Sequence, residues 1–208
     1  ERLAIGWLVL EATNSIFLSA LAFAVRNMPS MLLGPFSGAI ADMFPRQRLV
    51  GLMAGIRAAT MLGIGVLALG DDSVIWMILL LATVGGATRT VEVPATQAFI
   101  GDIFGRDGTP RAIGVHGFGV RMVSLSGALA AGLSIEVLGS ASPFFLSAGF
   151  LLVGAVLIWA ITMPPRQMHQ QHGLWGETID GVRIMIKRPV VMAVLLLAFL
   201  TEIFGFSY

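Results

Sequence analysis

Apolar stretches long enough to cross a bilayer alternate along this chain with short polar breaks, and that alternation constrains its fold more than any motif does. A hydrocarbon core about 30 Å thick takes roughly 20 residues of helix at about 1.5 Å each. Such stretches lie near 18–42, 49–70, 74–100, 112–138, 143–163 and 190–208, and residues 3–10 read as the end of an earlier helix. In lipid every backbone N–H and C=O must be satisfied within its own segment, so the fold class is expected to be all-α, a polytopic membrane helical bundle. Composition points the same way: 56% of residues are hydrophobic and 12% charged, with a mean hydropathy of +0.87, far from a soluble domain. The chain opens on Glu1-Arg2 with too few apolar residues to span, so it is expected to begin inside a helix, and no signal peptide is read from that start.

The breaks assign an orientation. Those after the stretches ending near 42, 100 and 163 carry Arg46, Arg48, Arg106, Arg111, Arg166, Arg183, Lys187 and Arg188, whereas the others hold Glu11, Asp71 and Asp72 and no Lys or Arg. The positive-inside rule then puts the loops near 43–48, 101–111 and 164–189 in the cytoplasm. Residues 164–189, from Pro164-Pro165 to Arg188-Pro189, form the one long connection. Ile179, Val182, Ile184 and Ile186 among Asp180, Arg183 and Lys187 suit either a surface-lying amphipathic helix or an ordinary tether. The organisation expected is a bundle over 1–163, a cytoplasmic linker over 164–189 and the first helix of a second bundle over 190–208.

Several chemistries find no support. With no cysteines, thiolate metal sites and cysteine nucleophiles are excluded. His169 and His172 have ligand spacing but no carboxylate or cysteine nearby, so no metal is expected. Gly34-Pro35-Phe36-Ser37-Gly38 is not a nucleophile elbow, Gly63-Ile64-Gly65 and Gly117-Phe118-Gly119 lack the third glycine of a dinucleotide loop, and there is no P-loop. Neither an enzyme nor a cofactor is expected, and the net charge of +1 gives no argument for nucleic acid. The glycines suit close helix packing instead. Ser30, Gly34, Gly38 and Asp42 recur every four residues, and Gly114, Gly117, Arg121, Ser124, Ala128 and Gly132 fall on one helical stripe. Both read as packing seams, except at Arg121.

Charge inside the hydrocarbon is where function is expected to show. Arg26, Arg57, Arg89 and Arg121 each fall within a span, at roughly 2.5–3.5 kcal/mol apiece on insertion scales. Arg57, Arg89 and Arg121 lie close enough in depth to line one aqueous cavity. Glu92 follows Arg89 by three residues on one helix face, with Pro94 just beyond to bend the helix. Two readings of that pair stand side by side: a local ion pair, or a proton-coupling or substrate-contacting site.

Gly38-Ala39-Ile40-Ala41-Asp42 and then Met43-Phe44-Pro45-Arg46-Gln47-Arg48 resemble the major facilitator signature G-x-x-x-D-R-x-G-R-R between the second and third helices. Met43 replaces its first arginine and Pro45 its second glycine. Trp7–Ser15, Arg26-Asn27-Met28-Pro29, Pro94–Ile100 and Arg111-Ala112-Ile113-Gly114 are similar to the enterobactin-exporter-like branch of that superfamily. Gly127-Ala128-Leu129-Ala130-Ala131-Gly132 resembles its fifth-helix exporter motif, with Ala128 where proline is usual. The resemblance implies that Gly38, Asp42, Arg46 and Arg48 belong to a gating charge cluster and that Gly127 and Gly132 mark the exporter motif. It also implies a six-helix half of inverted three-helix repeats, working by alternating access with a C-terminal half of the same transporter. The expected partners are the lipid bilayer, a small-molecule substrate of drug or siderophore class and protons, in the bacterial inner membrane. A non-transporting membrane sensor or scaffold is the rival class.

Overall fold

The computed structural model describes residues 2–70 and 75–161, which belong to one compact unit, Glu1–Arg166. The expected helix at 190–208 and the linker at 164–189 lie outside the described residues. Six helices follow one another: α1 (Arg2–Thr13), α2 (Ile16–Met43), α3 (Arg46–Leu67), α4 (Ile75–Gly105), α5 (Asp107–Leu138) and α6 (Ser142–Ala160). All but α1 are long and apolar enough to span a membrane, and among the described residues there is no strand. The protein is a multi-pass helical membrane bundle.

Local chemistry sets the helix ends. Asn14 turns the chain with a φ of 52°, and Ser15 then caps α2, its hydroxyl oxygen accepting from the Leu18 N–H at 3.3 Å. Gly105, with φ 66° and ψ 179°, makes the corner between α4 and α5 in one residue. The sequence suggested a loop over 101–111. Helix instead runs to Gly105 and resumes at Asp107, with Pro110 as the fourth residue of α5. Within the spans, hydroxyls bond back to their own helix: Thr83 to Leu79 O, Thr88 to Gly85 O, Thr90 to Gly86 O and Ser37 to Gly34 O.

The core has two parts. Ala4, Ile5, Leu8 and Val9 of α1 pack with Met61, Ile64, Ile78, Ala82 and Phe144 at the end where α3 stops and α6 begins. Ala41, Leu49, Val50, Val91 and Ala95 pack at the opposite, basic end. Between them α4 touches both α2 and α3 through consecutive glycines. A Cβ on Gly86 would fall 1.9 Å from the Arg26 carbonyl oxygen, and one on Gly85 would sit 3.4 Å from Thr60 Oγ1. Gly51 lets the Trp159 indole cross α3, and Gly65 admits Phe144 and Phe145.

The two small-residue seams expected from the sequence are not seams within the described bundle. A Cβ added at Gly34, Gly38, Gly114, Gly117, Gly127 or Gly132 would meet nothing within 4 Å. No described helix comes against those sides. Enclosure differs accordingly: 56% of the apolar window of α3 is buried, against 6% for α5.

Candidate functional site

Arg26, Arg57, Arg89, Glu92 and Arg121 all sit deep in their helices. Each is at least ten residues from either end, or about 15 Å at the helical rise. The structure joins two of them across a helix interface: Arg57 Nη1 of α3 donates to Glu92 Oε2 of α4 at 2.5 Å, with side chains 10% and 19% exposed. The interface is held close here because Gly85 presents no side chain to Thr60, whose own hydroxyl bonds back to the Arg57 carbonyl at 2.8 Å.

The sequence put both charges of this pair among the candidates but offered Arg89, not Arg57, as the neighbour of Glu92. Helix geometry shows how both can belong together. On α4, Gly85 and Glu92 point at α3 and Gly86 points at α2, as their contacts establish. At about 100° per residue Arg89 falls between those two directions. Arg26 reaches the same place from α2: it is 6% exposed, and its Cγ lies 3.5 Å from where a Gly86 Cβ would be. Arg57 and Glu92 thus meet on the α3 side of α4 and Arg26 packs on its α2 side, with the Arg89 direction between the two. Arg121, by contrast, is exposed on α5. Among the described residues no group of three His, Asp or Glu side chains gathers as a metal site would require.

A second cluster ties the basic end together. Arg46, at the start of α3, donates to the Asp42 carboxylate at the end of α2. It also donates to Asp102 Oδ1 at 2.8 Å and to the Ala98 carbonyl at 3.0 Å, both on α4. One guanidinium therefore links three helices, which its several fixed donors allow. Next to it Gln47 donates to the carbonyls of Ile158, at 2.7 Å, and Ile161, at 2.5 Å, the open end of α6. Gly38 and Arg48, the other gating candidates, are exposed. Asp102 and Gln47 were not singled out by the sequence. Asp102 was legible only as an acid within a basic break.

Comparison with known proteins agrees with this architecture. The chain is 26% identical over 158 residues to a protein of Staphylococcus aureus named Staphyloferrin A transporter, an overlap of 75% of this chain and 40% of that protein. The chain therefore spans less than half the length of that relative. No solved structure matches the chain. The sequence pattern described as Major Facilitator Superfamily matches residues 3–208. With nearly every residue inside that match, on an apolar helical bundle whose signature charges meet at one end, the chain belongs to the Major Facilitator Superfamily.

Proposed function

We propose that these residues form the N-terminal half of a secondary active transporter, a proton-coupled exporter of amphipathic small molecules of the drug or siderophore class that works by alternating access. The observation carrying this reading is the Arg57–Glu92 pair, opposite charges 2.5 Å apart on different helices within apolar spans. A carboxylate there has two states with different packing consequences. Ionised, Glu92 draws α3 and α4 together; protonated, it no longer offers Arg57 a negative charge. Such a difference between states is what lets a proton bias a conformational equilibrium.

In the same reading the basic end faces the cytoplasm of a bacterial inner membrane, and the Asp42–Arg46–Asp102 cluster latches that end while it is closed. Substrate binds near the midplane against the second half of the transporter. The Staphyloferrin A transporter relative supports a small-molecule cargo.

Glu92→Gln tests the assignment because it keeps the shape and removes the charge. The complete transporter is reconstituted into vesicles, and flux of labelled phthalate and of labelled tetraphenylphosphonium is followed with and without an imposed pH gradient. The variant is expected to fold and to bind a probe that the wild type moves, while losing the response of flux to the gradient. Wild-type gradient dependence in the variant removes Glu92 as the coupling acid.

A further inference from the structure

We propose that the groove between α3 and α6 at the basic end of the bundle seats the headgroup of an anionic phospholipid, with Arg48 as its cation. Such a seat needs only that the bundle spans a membrane, and it does not rest on the transport reading above.

The sequence grouped Arg48 with Asp42 and Arg46, and the structure separates them. Arg46 turns to Asp42 and Asp102, whereas Arg48 is exposed and lines a cavity of about 600 Å³ with Gln47, Leu52, Trp159 and Ile161. Two residues along a helix point about 200° apart, so neighbours in one motif face different surroundings. The cavity falls within the roughly 300–1,000 Å³ of ligand sites. Among the described residues that line it there is no carboxylate, and Arg48 is the one cation.

Depth identifies the kind of anion. The 22 residues of α3 make about 33 Å of helix, close to the thickness of the hydrocarbon core, so its ends lie near the membrane–water boundary. Arg48 is the third residue of α3, and Ile161 directly follows α6. Leu52 lies one turn deeper than Arg48, about 6 Å. The groove therefore carries its charge at headgroup level and apolar walls below, where acyl chains begin. Trp159, 62% exposed, is a residue type that sits at that level, and Gly51 leaves room for its indole across α3. No charged residue interrupts α6 from Ser142 to Ala160, so lipid can approach the groove along that helix.

One feature opposes an anion here, and Gln47 offsets it. The open end of α6 turns carbonyl oxygens outward, with the negative end of the helix dipole. The Gln47 amide donates to two of them, those of Ile158 and Ile161. A soluble phosphate would find the same cation but would leave the apolar walls unused. A zwitterionic lipid would bring an ammonium group that Arg48 repels, so a lipid with net negative charge fits best.

The test is native mass spectrometry of the complete transporter after equilibration in detergent with equimolar phosphatidylglycerol and phosphatidylcholine of the same acyl chains. Phosphatidylglycerol adducts are expected to exceed phosphatidylcholine adducts at least fivefold. Arg48→Gln should lower that ratio at least threefold, and Arg48→Lys, which keeps the charge, should retain most of it. Leu52→Trp, at an exposed position, fills the groove and leaves Arg48 in place, and it should lower the ratio as well. Arg111→Gln, an exposed cation at the same end, should leave it unchanged. A wild type without preference overturns the proposal even if Arg48→Gln fails to fold. A folded Arg48→Gln with the wild-type ratio overturns it, and so does an equal loss in Arg111→Gln, which would mean diffuse surface charge. If Leu52→Trp changes nothing, the groove is not the seat and another segment can fill it. Displacement of the lipid by glycerol phosphate at the same concentration would reassign the site to a soluble anion.

Discussion

Arg57 and Glu92 are each costly in lipid, and what they contribute to stability is a difference between large terms. Removing one member of a buried pair leaves an uncompensated charge and typically costs about 3–5 kcal/mol, whereas replacing both with apolar side chains of similar volume is often neutral or stabilising. Arg57→Met is therefore expected to lower thermal stability in detergent sharply, and Arg57→Met combined with Glu92→Met to recover most of the loss. Additive losses in the double variant would show that the two side chains stabilise the bundle independently of one another. The recovered double variant should still fail to couple flux to a proton gradient, which separates folding from function. The sequence exposed these residues one at a time, because a charge within a long apolar stretch is visible without any partner. Their pairing was not visible: Arg57 and Glu92 are 35 residues apart, and their meeting depends on how α3 and α4 are rotated. Arg89 and Glu92 looked like a pair because spacing along one helix is the only contact a single sequence displays directly. Asp102 went unread for a related reason, since its value lies in meeting Arg46 from 56 positions away.

At the level of whole helices, the small residues that matter are those with a neighbour. The evenly spaced Ser30, Gly34, Gly38 and Asp42 stood out by their period, but periodicity tells which residues share a face and not which face is covered. Gly85 and Gly86 have no period and bear the actual crossing, one toward α3 and one toward α2. Gly86→Ala should force α2 and α4 apart, because the new methyl would fall 1.9 Å from a backbone oxygen that cannot turn aside. The expected loss is about 1–3 kcal/mol, read as a lower melting temperature. Gly51→Ala meets the Trp159 indole at 2.1 Å instead, and a side chain can rotate away, so its loss should be smaller. Gly38→Ala meets nothing and should leave the melting temperature of the bundle unchanged. A Gly86→Ala variant as stable as Gly38→Ala would mean that the α2–α4 approach does not depend on that glycine. Helix limits, by contrast, rest on span length and flanking charge, which are both local properties of the chain. The α4–α5 corner was the exception, because one left-handed glycine accomplishes what the sequence seemed to give a loop.

For the molecule as a whole, the proposed orientation rests on charge that no single helix carries. Arg46, Arg48 and Arg111 collect at one end of the bundle, and Glu11 lies toward the other. Arg46 and Gln47 also fasten α2, α3, α4 and α6 at the basic end, so that end behaves as a tied rim. In the function proposed above, the rim faces the cytoplasm. Single cysteines test this cleanly because the chain has none of its own. Phe44, 52% exposed between α2 and α3, and Gly70, exposed just after α3, sit at opposite ends of the same helix and avoid the residues that fasten the rim. In intact cells a membrane-impermeant maleimide is expected to label Gly70→Cys and to spare Phe44→Cys. After the membrane is opened, both should label, which shows that Phe44→Cys was shielded by sidedness and not by folding. Labelling of Phe44→Cys from outside with protection of Gly70→Cys would invert the orientation. The rim carrying Asp42, Arg46 and Asp102 would then close the outer face, and a latch acting from the cytoplasm would be ruled out together with the direction of export proposed above.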